Sequence, residues 1–151
     1  MKLQDEIPMC GHFHIELRRS GALVEVIDEK NLIVNGAKNQ LARLIGGSGT
    51  NRQITQIGFG IGTTAAAPGN TALTYSPLYP TSSLKAIGSV GYPATGQVQF
   101  NWSLSTAELN GVAITEFGLF CQDGTLFSRK QRAPIQKESD LSLTGSWTII
   151  F

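Results

Sequence analysis

The sequence predicts a mainly β fold: a single β-sandwich-like domain with one short α-helix near residues 36–46. Three observations lead there. Apolar residues alternate with polar ones in several short segments, as in Val98, Phe100, Trp102 and Leu104, the period of a strand with one wet face. Turn signals separate these segments: Ser20-Gly21, Asn110-Gly111 and Asp123-Gly124. Only one stretch changes to a helical period. The chain has 151 residues, a mass of 16.2 kDa and 41% hydrophobic residues, enough for one domain with a real core. No internal repeat divides it, so the expected organisation is an N-terminal arm over 1–11 and one domain over 12–151.

Taken in order, Phe13, Ile15 and Leu17 alternate with His12, His14, Glu16 and Arg18, and Ala22–Asp28 follows the Ser20-Gly21 turn. The pair reads as a hairpin, which Asn31–Val34 extends. Ala37, Leu41, Leu44 and Ile45 then form the stripe of an amphipathic helix. Asn35 is the expected cap and Gly46-Gly47 the stop. So short a helix needs a sheet beneath its stripe. Strands are expected at Gln53–Phe59, Leu84–Val90, Gln97–Leu104 and Val112–Phe120. Asp123-Gly124 joins the last of these to Thr125–Arg129 as a hairpin. A closing strand is expected over Leu141–Phe151, with Phe151 as its last core residue.

Charge bounds the function. A net charge of +1 argues against a nucleic-acid binder working by phosphate attraction. No run of about 18 apolar residues spans a membrane. Two cysteines cannot build a disulfide framework, and folding in the cytosol is the expectation. Acids sit near the N-terminus where a signal peptide would carry bases. Six basic and six acidic side chains fall within residues 1–50, yet between Gln53 and Ala107 the only charged side chain is Lys85. A solvated surface normally carries interspersed charge. Part of this stretch is therefore expected to face a partner.

Chemistry-bearing motifs are few. Cys10, His12 and His14 share a strand parity and include zinc-type ligands, but one strand rarely offers three adjacent ligands at tetrahedral angles. A solvated strand face is the better reading, and no metal or cofactor is expected. Glu116 lies in the apolar run Ile114–Phe120 and must be paired or exposed; Arg129 and Lys137 are the candidate partners in a structural ion pair. Gly58-Phe59-Gly60-Ile61-Gly62 lacks the lysine and hydroxyl of a phosphate loop, so close packing explains its glycines. Neither Cys121 nor any serine has the surroundings of a nucleophile. No active site is expected, and a hydrolase is disfavoured.

Several segments together resemble small structural virion proteins of tailed bacteriophages. They begin with Asn31-Leu32-Ile33-Val34-Asn35-Gly36-Ala37 and the helix after it. Ile57–Ala65 with Asn70-Thr71-Ala72-Leu73 is similar to a "GxGxTxA…(D/N)TxL" stretch. Glu108–Gly111 with Ile114–Phe120 is similar to an "xxNGxxIxExGLF" strand. Asp123–Arg129, Ile135-Gln136-Lys137 and the Trp147–Phe151 ending complete the set. The resemblance runs from about residue 31 onward. It implies a non-enzymatic structural protein of the tail, baseplate or fibre-attachment region, made and assembled in the bacterial host cytoplasm. Copies of the chain and other virion proteins would be its partners, as a homo-oligomer. A capsid decoration or head-fibre protein is the near alternative. From another class, a carbohydrate-binding module would use Tyr75, Tyr79 and Tyr92 as a stacking platform. The interface candidates are Phe59, Ile61, Leu73, Tyr75, Leu78, Tyr79 and Tyr92.

Overall fold

A computed structural model describes residues 8–151. It holds nine strands and one helix: β1 (Cys10–Arg19), β2 (Ala22–Ile33), α1 (Asn35–Ile45), β3 (Ile54–Gly60), β4 (Leu84–Ala86), β5 (Ser89–Gly91), β6 (Gln97–Leu104), β7 (Ala113–Cys121), β8 (Leu126–Gln136) and β9 (Leu141–Ile150). The fold is mainly β, as the alternation requires. All pairings are antiparallel, in the order β4-β3-β7-β8-β2-β1-β9-β6-β5.

The expected strand Leu84–Val90 is two strands, and the break shapes the molecule. β4 and β5 occupy opposite ends of the sheet order, with only Ile87-Gly88 between them. The Ile87 amide donates to Thr55 O on one side (2.9 Å), and the Gly88 amide donates to Asn101 O on the other (2.8 Å). The chain thus steps from one sheet edge to the other, and the sheet curls onto itself around a shared core. Two short edges cover what would otherwise be templates for aggregation. On the far side the closure is looser. β2 meets β8 only at Leu32↔Arg129 and Ile33↔Ser128. Further along, Glu29 bridges the gap to Lys130 (2.7 Å) and Arg132 (3.6 Å).

The hairpin forms as its alternation predicts. Phe13, Ile15 and Leu17 point inward, and Ile15 lies opposite Ile27. The core is a set of aromatic rings from both halves of the curl. Phe13 touches Phe117 and Trp147 at centroid distances of 4.9 Å each, and Phe59 meets Trp102 edge-on at 5.3 Å. Gly145 lies opposite Trp102 in the register, and the indole lies flat over it, in the space a Cβ would take.

Helix α1 corrects two expectations. Its N-cap is Val34, and no side chain caps it; Asn35 is the first helical residue. Its stop is as expected. Gly47 takes a φ of +80°, the Gly47 amide donates to Leu44 O and the Ser48 amide to Arg43 O, which is a Schellman ending. Only the first half of the expected stripe meets the sheet. Gly36 lets the helix approach β8 closely, since a Cβ there would sit 2.7 Å from Leu126 O. Ala37 is buried, Leu41 is half-buried, and Ile45 is 87% exposed.

Both chain ends also differ from expectation. Cys10 and Gly11 pair with Ile150 and Ile149, so they belong to the sheet rather than to an arm. Met1–Ile7 lie outside the described residues. At the other end the core stops at Ile149. Phe151 has inward parity but lies past the last strand and is 47% exposed.

Candidate interaction surfaces

Glu116 is the node that positions the uncharged segment between β3 and β4. Strand alternation turns its side chain away from the aromatic core, onto the outer face of β7, yet it is buried. Its carboxylate is fully partnered. Oε2 accepts from Arg129 Nη2 at 2.7 Å and Nε at 2.9 Å. Oε1 accepts from the amides of Gly62 (3.0 Å) and Thr74 (2.5 Å). Arg129 continues the network, donating to Asn70 Oδ1 and Thr64 O, and Thr115 Oγ1 donates to Gly62 O. One buried ion pair therefore holds both ends of the segment 62–74. Burying such a pair without full hydrogen bonding is costly; here every oxygen has two donors.

The glycines make room for that segment. Gly58 and Gly60 face outward, alternating with the inward Ile57 and Phe59. A Cβ on Gly60 would lie 2.8 Å from Thr74 O, and one on Gly58 would lie 3.0 Å from Leu73 and 3.2 Å from the Tyr75 hydroxyl. The segment consequently lies flat on β3 and β7. Beneath it a second small core forms from Val34, Phe120 and Leu126, with Leu73 and Leu84 against it.

This geometry re-sorts the seven interface candidates. Phe59 is a core residue at 1% exposure and is corrected accordingly. Ile61, Leu73, Tyr75 and Tyr79 are half-buried and act as anchors; the Tyr79 hydroxyl donates to Asn110 O at 2.9 Å. Burial, and then the Glu116 charge, push the Tyr75 phenol upward. Leu78 and Tyr92 alone are strongly exposed, at 67% and 79%. Lys137 is likewise corrected. It is buried but does not reach Glu116; its Nζ donates to Asn110 Oδ1 (2.8 Å) and Glu138 O (3.1 Å). Desolvation lowers its pKa, against the opposing pull of Glu108 and Asp140.

The missing charge thus has a partly intramolecular cause: the segment is itself a cover. Its outer surface stays neutral even so. Lys85 is tied to Glu108 (2.7 Å) and Ser103 O (2.7 Å), and between Thr63 and Ser82 the side chains are all uncharged: Thr, Ala, Pro, Asn, Ser, Leu and Tyr. Asn70 holds its turn by accepting from the Ala67 amide.

The β1 face carrying Cys10, His12 and His14 is organised around Asp28 of β2. His14 Nδ1 lies 2.7 Å and His12 Nε2 lies 3.3 Å from Asp28 Oδ1. Cys10 is not part of that cluster, and among the described residues no group of three or more His, Cys, Asp or Glu is arranged to hold a metal. The two thiols differ sharply. Cys10 is exposed. Cys121 is buried, and desolvation raises its pKa to about 11. A thiolate is the reactive form, so native protein should titrate one thiol with a disulfide reagent and denatured protein two. Rapid modification of both in the native state would contradict the packing around Cys121.

Among the described residues, five carboxylates are held below their ordinary values. Arg18 does this for Glu16 and His14 for Asp28, chiefly by hydrogen bonding. For Glu29, Glu108 and Asp123 desolvation is the largest single influence and pushes upward. It is outweighed by Lys130 with Arg132, by Lys85 with the Ser105 amide, and by Thr125, Gln40 and Arg52. A depressed folded pKa contributes stability above the unfolded value, which is lost as pH falls through the folded one. Thermal melts should therefore change little from pH 8 to about 5 and decline below about pH 4. A midpoint that rises on acidification would contradict these pairings.

A second surface lies where α1 crosses the end of the curled sheet. A groove of about 320 Å³ opens between Leu41, Leu44, Val90, Tyr92 and Phe151, with Phe100, Phe127 and Ile149 at its floor. A second depression, of about 610 Å³, continues past Phe151 to Pro8 and Ile45. Leu44, Ile45, Val90, Tyr92 and Phe151 are all at least 40% exposed. Clustered exposed apolar residues mark interaction sites in a way that single ones do not. The sequence hinted at this through Leu44 and Ile45, whose stripe position suggested burial.

Scans against protein-family models, curated proteins and solved structures found no match for this chain.

Proposed function

We propose that the chain is a non-enzymatic structural subunit of a tailed-bacteriophage virion, in the tail, baseplate or fibre-attachment region. It assembles in the host cytoplasm through contacts with copies of itself and with neighbouring virion proteins. The observation that carries this reading is the uncharged segment 62–83, whose 62–74 portion is clamped flat by the buried Glu116–Arg129 pair. A rigid, neutral surface loses little entropy or hydration when another subunit covers it. The segments that resemble phage structural proteins also meet at this point. Gly60, Gly62, Asn70, Glu116, Gly118 and Arg129 come from three separate motifs and form one construction. Such a construction supports a shape rather than a reaction.

A glycan-binding reading has less support. Tyr75 and Tyr79 are anchored within the segment, which leaves Tyr92 as the one strongly exposed tyrosine of the three. Mass spectrometry of particles purified from cells carrying the encoding genome tests the proposal. The chain is expected in the particles at a fixed ratio to the other structural proteins. Its confinement to the soluble lysate, with none in the particles, would overturn the assignment.

A further inference from the structure

We propose that the apolar groove at the α1 end receives a segment of a different protein, not of a second copy of this chain, that carries apolar side chains flanked by carboxylates. This deepens the assembly reading and rests on it, because it gives one of the contacts a location and a chemistry. The apolar part follows from the groove, whose floor reaches Phe100 and Phe127 of the core and whose rim exposes Ile45, Tyr92 and Phe151. Such a floor takes an inserted side chain in the manner of a hot-spot anchor.

The carboxylates follow from the charges around it. Every charged residue lining these depressions is basic: Lys38 beside Ile45 and Arg52 beside Leu44. Arg43 lies on the adjoining face of α1. Neither Lys38 nor Arg43 has an acidic partner among the described residues, whereas Arg52 is held by Asp123 at 2.7 Å. The helix has no acidic residue of its own to balance them. Lys38 at the rim, with Arg43 near it on α1 but outside the groove, has no described carboxylate beside it, and such cations steer an acidic partner and reject a basic one.

Two labelled peptides of equal length, with leucine and isoleucine at the same positions, provide the test. One is filled in with aspartate and glutamate, the other with lysine. Fluorescence anisotropy on the full chain should show saturable binding of the acidic peptide and none of the basic one. K38E with R43E should weaken the acidic peptide about tenfold, as should I45D. All three positions are exposed, and unchanged melting confirms that each variant folds. Equal binding of both peptides, or of neither, overturns the proposal. So does sedimentation showing that the chain alone self-associates and that I45D abolishes it, since the groove's occupant is then a second copy. Incorporation into particles is read separately, so the peptide experiment can fail while the virion assignment stands.

Discussion

Glu116→Gln is expected to lower the unfolding free energy by about 3–5 kcal/mol, the usual cost of stripping a buried charge of its partner. For a domain of this size that is a fall in Tm of roughly 10 °C. The side chain keeps its shape and can still accept from Gly62 and Thr74, so the loss isolates the charge left on Arg129, which is 2% exposed. Hydrogen exchange supplies a second readout. The amides of Gly62 and Thr74 should lose protection in Glu116→Ala, where their acceptor is gone, before strands β1 and β9 do. Replacing both Glu116 and Arg129 by leucine should recover part of the stability. It should not restore protection of the segment, because leucine accepts no hydrogen bond. A Glu116→Gln protein within about 1 kcal/mol of the parent would mean that the pair is solvated and that the clamp does not exist.

Gly145→Ala is expected to have an effect of the same size for a different reason. The added Cβ would overlap the Trp102 indole, which lies across Gly145 in the β6–β9 register. That ring cannot simply tilt away, because Phe59 (5.3 Å), Phe117 (5.9 Å) and Phe13 (6.1 Å) surround it. Overpacking alone costs about 1–3 kcal/mol. Expulsion of the ring would approach the roughly 3–5 kcal/mol of a Trp→Ala change. Trp102→Leu is itself destabilising, but the two substitutions should be strongly non-additive, because the smaller side chain vacates the contested space. Near-UV circular dichroism should change in the single Gly145→Ala variant. Additive losses would mean that the two sites do not compete.

The fold was legible where one residue pair or period decided it. The alternation through Phe13, Ile15 and Leu17, the Asp123-Gly124 turn and the Gly46-Gly47 stop each produced the expected local structure. What failed depended on tertiary closure. Nothing in Leu84–Val90 reveals that its two halves pair with opposite sheet edges, since both halves are individually strand-like. Phe151 has core parity but lies past the end of the sheet, and Ile45 has stripe parity but overhangs it. The burden on Glu116 was readable, because a carboxylate inside an apolar run needs a partner. That Arg129 rather than Lys137 supplies it required the β7–β8 register, which sets Gly118 opposite Arg129. Phe59 is buried within an uncharged stretch because it shares the inward parity of Ile57, which the absence of charge does not distinguish from surface positions.

In the proposed assembly the neutral face of residues 62–83 is covered by another subunit. Sedimentation velocity of the full chain over a wide concentration range tests it most directly, alongside a variant carrying Leu78→Asp on that face, 67% exposed in the isolated chain. The parent is expected at a mass that is a multiple of 16.2 kDa, and the variant is expected to dissociate with no loss of melting temperature. A parent that stays monomeric at the highest concentration it tolerates, indistinguishable from the variant, would contradict it.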